Sequence, residues 1–102
     1  MTKHTPGPWR VGPTQQEPHG IQSVLVLAGE DAVRFGVAKV GVIDFRDAEQ
    51  ATANANLIAA APDMLEALHI ALDFISQREE ALGTTLPAGT RIRAAIARAE
   101  GR

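Results

Sequence analysis

The side chains best placed to do chemistry in this chain are Glu66, His69 and Asp73. On an α-helix, steps of three and seven residues fall on one face, so the three would offer two carboxylates and an imidazole to a divalent cation. A Glu-x-x-His pair is one component of the carboxylate-bridged sites of helix bundles, which need a second such pair and more carboxylates from other helices. Here there is one copy, and His4 and His19 stand at no spacing that completes it. The expected reading is therefore a solvated polar stripe, with no metal and no cofactor. Nucleophilic catalysis has still less to draw on. The chain has no cysteine, Ser23 and Ser76 lie outside any Gly-x-Ser-x-Gly context, and the glycines form neither a dinucleotide fingerprint nor a phosphate loop. The chain is expected not to be an enzyme.

Charge points to binding instead. The net charge is only −2 over 102 residues, but the signs are separated. Between Asp44 and Glu80 eight acids face Arg46 and Arg78, and between Thr90 and Arg102 four arginines face Glu100. Candidate interaction residues are thus Asp63, Glu66 and Asp73 on the acidic side and Arg91, Arg93 and Arg98 on the basic side. Guanidinium groups grip phosphates bidentately, so these arginines could hold a small nucleotide. Nucleic acid is disfavoured, because the chain is acidic as a whole and lacks an aromatic platform for stacked bases.

The elements that must carry these residues divide the chain in two. Pro6 and Pro8 keep the N-terminus extended. Trp9-Arg10-Val11 reads as a short strand with Trp9 facing the core, Pro13 to Gly20 as a loop, and Ile21 to Leu27 as a buried β-branched strand. Gly29-Glu30-Asp31 is a turn, and Val33 to Ile43 a third strand that Gly36 and Gly41 mark for bulges. A three-stranded antiparallel sheet over residues 1–45 results, and it needs cover on one face.

Residues 46–102 supply that cover as two to three helices, which makes the fold α+β. Asp44 or Asp47 is a plausible N-cap for a first helix over about Ala48 to Ala60, with Ala51, Ala55 and Ile58 on its inner stripe. Pro62 breaks the helix and opens a second one at its first turn. That helix runs to about Leu82, where Gly83 supplies the C′ residue. Pro87-Ala88-Gly89 reads as a linker and Thr90 as the cap of a third helix, Arg91 to Ala99. Asn54 sits among alanines: buried, it would bond the backbone of Pro6 to Trp9; exposed, it would be ordinary surface.

Size limits what this fold can bury. A chain of 102 residues is one domain, and although 45% of it is apolar, much of that is alanine and only 4% is aromatic. Its core is expected to be thin. Along the second helix Leu65, Leu68, Leu72 and Ile75 form an amphipathic stripe. A second set, Met64, Ala67, Ile70, Ala71 and Phe74, exceeds what a small sheet needs and is expected to be the interface of a homo-oligomer, a dimer. The lack of cysteine, of a signal-peptide core and of an apolar run of about 20 residues leads to the expectation of a cytoplasmic protein that does not enter a membrane.

Two blocks carry a resemblance. His4-Thr5-Pro6-Gly7-Pro8-Trp9 and the segment Ala53 to Leu65, Ala-Asn-Ala-Asn-Leu-Ile-Ala-Ala-Ala-Pro-Asp-Met-Leu, resemble the diagnostic blocks of a family of small proteins encoded by phages and prophages. The ending Ala94 to Gly101 is similar to that family's usual close. The resemblance implies a phage accessory factor that acts by binding inside the bacterial host cell, with no catalytic residues to carry over. The favoured expectation is an inhibitor of a bacterial anti-phage defence system, such as an anti-CRISPR, that occupies a host protein complex with an acidic face mimicking nucleic-acid charge. The alternatives are an oligomeric sponge that sequesters a nucleotide immune signal with Arg91, Arg93 and Arg98, and a DNA-associated regulator of phage genes.

Overall fold

The computed structural model describes residues 4–16, 22–30, 33–42 and 48–102. Among the described residues three strands, β1 (Trp9–Gln16), β2 (Gln22–Glu30) and β3 (Val33–Val42), precede three helices, α1 (Ala48–Ala59), α2 (Ala61–Leu82) and α3 (Pro87–Ala99). The strands form one antiparallel sheet in the order β1-β2-β3, so the fold is α+β as the sequence pattern requires. Packing groups the chain into two compact units, His4–Pro62 and Asp63–Arg102. The first helix therefore belongs with the sheet, and α2 and α3 form a unit of their own.

In the first unit, strand alternation decides which side chains α1 covers. Val11 lies opposite Val26, which lies opposite Ala38, and Val24 lies opposite Val40. Val24, Val26 and Ala55 are the buried centre, with Trp9, Val11, Ala38, Val40, Ile58 and Ala59 packed around them. Ala51 and Ala55 are the helix positions driven against the sheet, at 4% and 0% exposure. A residue with no side chain beyond Cβ lets a helix backbone approach a sheet closely, which is why this helix is built from alanine. Its outer side carries the exposed Asn54, Asn56 and Leu57.

Several sequence expectations shift here. Pro13 does not end β1: the strand continues to Gln16 past a register irregularity between Val11 and Thr14. Proline lacks a ladder donor, and an edge strand with an irregular register is where a sheet tolerates that. Of the stretch Pro13 to Gly20, residues 13–16 are thus strand, and residues 17–20 lie outside the described residues. Gly29 and Glu30 close β2 and do not form the turn; Gly29 has φ +89, a backbone conformation open to glycine, and its carbonyl accepts from the Arg10 guanidinium. Asp31, the N-cap candidates Asp44 and Asp47, and the strand ends Ile21 and Ile43 lie outside the described residues. The irregularity expected near Gly36 is present: β3 slips between its partners Val26 and Leu27, so that Val37 and Ala38 both reach the core. Gly41 pairs regularly with Ser23.

The break expected at Ala61-Pro62 is present and falls at Ala60. The first helix ends at Ala59 and the second starts at Ala61, which puts Pro62 in the first turn of α2, where its missing N–H costs nothing. At the far end, Gly83 with φ +70 closes α2: its N–H and that of Thr84 donate to the Glu79 carbonyl, at 2.8 and 3.2 Å. The third helix begins earlier than its composition suggests. Leu86 is the N-cap and Pro87 the first helical residue, so Pro87-Ala88-Gly89 is helix and not linker, and Thr90 lies inside it with its hydroxyl 3.5 Å from the Leu86 carbonyl.

Candidate functional site

Two places concentrate unusual residue choices: the N-terminal block where it meets α1, and the α2–α3 hairpin. At the first, the chain enters β1 through a cis Gly7–Pro8 bond. Trp9 Nε1 donates to the Thr5 carbonyl at 3.1 Å, and the His4 ring stands edge-on to the indole with centroids 6.1 Å apart. Gly7 lies so close to Pro62 that a Cβ there would come within 2.8 Å of the proline Cβ. The two sequence blocks singled out above therefore touch: Gly7 meets Pro62, and Trp9 shares a core with Ala55, Ile58 and Ala59. Of the two readings open for Asn54, the exposed one holds, and it makes no bond to this segment. Asn54 is exposed because helical spacing turns Ala51 and Ala55 inward, and the segment is held by the indole instead.

The hairpin is held by Glu79. Its carboxylate accepts from the Leu86 N–H at 2.7 Å and from the Arg93 guanidinium, whose Nη2 also reaches Ser76 Oγ at 3.4 Å. A negative group at the start of α3 satisfies a free amide and meets the positive end of the helix dipole. Gly89 makes room for it: a Cβ at that position would stand 2.6 Å from Glu79 Oε2. Glu79 is correspondingly buried, at 9% exposure. The sequence reading passed over it, though a signal was there, since Leu65, Leu72 and Glu79 follow one another at seven-residue steps and place an acid on the leucine stripe.

The Arg93 hydrogen bond, followed by that of Leu86, holds the Glu79 carboxyl below its ordinary pKa despite the opposing cost of burial, and Arg93 is raised by the same contact. A carboxyl whose pKa is lower in the folded chain binds fewer protons there than when unfolded. Its contribution is present above the unfolded value, about 4.3, and is lost as pH falls through the lower folded one. Thermal unfolding followed across pH 2–7 should show the hairpin weakening in that acid window, and Glu79→Gln should remove much of the slope while lowering the midpoint at pH 7 by about 5 °C. Glu100 is also lowered, first by Arg102 and then by His69, and adds to the slope in the same direction.

The other candidate residues are distributed as follows. Asp63, Glu66 and Asp73 are exposed on α2, and Glu80 with them. His69 turns to Glu100, 3.5 Å away, and not to Glu66 and Asp73, and among the described residues no cluster of three His, Cys, Asp or Glu side chains could hold a metal ion. Arg91 and Arg98 are exposed, whereas Arg93 is committed to Glu79, so the three arginines are not one free set. Met64, Ala67, Ile70 and Phe74 are exposed and Ala71 is half-buried; Phe74 is 70% and Ile70 54% accessible. Contacts from His69, Ser76 and Glu79 put α3 on the other side of α2.

No helix among the described residues is long and apolar enough to cross a membrane. No curated protein and no solved structure is significantly similar to the chain. A family model described as Salmonella phage P22 protein Y8K6 matches residues 1–102, the full length of the chain, including the blocks at Gly7 and Pro62 that the fold brings together. The chain belongs to that family of small phage-encoded proteins.

Proposed function

We propose that this phage protein acts by binding, with no chemistry of its own, as an accessory factor that blocks a bacterial anti-phage defence complex, such as a CRISPR effector, inside the host cell. The observation that carries the reading is α2, which leaves Ile70 and Phe74 largely exposed beside a row of exposed acids, Glu66, Asp73 and Glu80. Contiguous exposed apolar side chains rimmed by charge mark interaction surfaces on small soluble domains. The apolar part serves self-association, and Glu66 and Glu80, with Asp63 at the start of the helix, present the negative charge that a nucleic-acid-binding partner recognises. The nucleotide-sponge reading is weaker on this arrangement, because Arg93 is occupied by Glu79.

Phage plating on a host that carries a defined CRISPR system tests this. Expression of the protein should raise plating by at least tenfold, and a variant with Asp63→Lys and Glu66→Lys, both exposed, should lose most of that gain while remaining folded. Equal plating with and without the protein across a panel of defence systems would remove the reading, and a thermal shift with cyclic nucleotides that Arg91→Ala abolishes would replace it with the sponge.

A further inference from the structure

The exposed side of α2 has a period. Ala67, Ile70, Phe74, Gln77 and Ala81 follow one another at alternating steps of three and four residues, and all five are exposed. That spacing is a coiled-coil seam, distinct from the half-buried stripe of Leu65, Leu68, Leu72 and Ile75. On one flank of the seam stand Glu66, Asp73 and Glu80 at seven-residue steps; on the other stand Met64, Ala71 and Arg78 at the same steps. The flanks therefore differ in sign, and charge decides how two such helices can pair.

We infer that the α2 seam pairs with the same seam of a second copy, the two helices running parallel, with Asp73 of each copy meeting Arg78 of the other. In a parallel pair, the residue flanking one side of the seam faces the residue five positions later on the other side of the partner. Asp73 and Arg78 have that separation, and two-fold symmetry makes the contact twice. An antiparallel pair would instead set the acidic row against itself. Within its own helix Arg78 finds no acid three or four residues away, its neighbours there being Phe74, Ile75, Ala81 and Leu82. This arrangement rests on the self-association part of the function proposed above and adds its geometry.

Sedimentation of singly charge-reversed chains tests it, and both sites are exposed, so the fold should survive either change. Asp73→Arg and Arg78→Asp should each weaken association at least tenfold when the variant is alone. An equimolar mixture of the two should recover association to within about threefold of the native chain, since each then offers the other opposite signs. Stronger association of Asp73→Arg alone would show the antiparallel arrangement and overturn this one. Native association with no response to either reversal would keep the dimer and discard the parallel seam. A monomeric native chain would remove both.

Discussion

Trp9→Ala is expected to cost about 3 kcal/mol, near the lower end of the range for emptying an aromatic site because the indole is half-buried. For a domain whose whole stability is of the order of 5–15 kcal/mol, that is a large share. The loss has two origins. The ring packs with Val24, Val26 and Ala55, and few other large side chains are available to fill the space, since alanine dominates the facing helix. The indole N–H also holds the Thr5 carbonyl at 3.1 Å, fixing the segment that leads to Gly7 and Pro62. Trp9→Phe separates the two, keeping an aromatic ring while deleting the donor, and should cost about 1 kcal/mol. Urea unfolding would measure both; an unchanged midpoint for Trp9→Ala would mean that the N-terminal block is not part of the core.

Ala55→Leu should destabilise by about 2–3 kcal/mol through overpacking. Ala55 has no accessible surface, and the helix approaches β2 at this point because nothing larger than a methyl group stands between them. Three further heavy atoms would push the helix off the sheet or force strained rotamers. Ala53→Leu, two residues away and exposed, is the control and should change stability by less than about 0.5 kcal/mol. Equal effects at the two positions would show that the alanines are chosen for helix propensity and not for close approach.

These two sites also show how far the sequence could be read. The sheet was legible because β-branched runs of strand length are separated by glycine, and the inner stripe of α1 because alanine recurs every four residues. Reading Pro13 as a loop residue failed for a physical reason: proline is excluded from central strands, and nothing local distinguishes an edge strand from a loop. The start of α3 was misread because Pro87 and Gly89 both look like linker residues. Proline at the first helical position is a helix signal in its own right, and Gly89 is needed where the Glu79 carboxylate approaches. The latch of Glu79 on Leu86 and Arg93 is a contact between elements, set by a turn whose path no periodicity encodes. The surplus apolar face of α2 was visible as a pattern, and its exposure is what the fold adds.

The central claim is that α2 keeps an apolar seam outside the folded chain for a second copy. Sedimentation velocity of the native protein at micromolar concentration tests it most directly, with a variant carrying Ile70→Ser and Phe74→Ser beside it. The native chain should sediment with twice the mass of one chain, and the variant as a folded monomer with unchanged helix content. A native chain that is well folded and monomeric under those conditions would contradict the account.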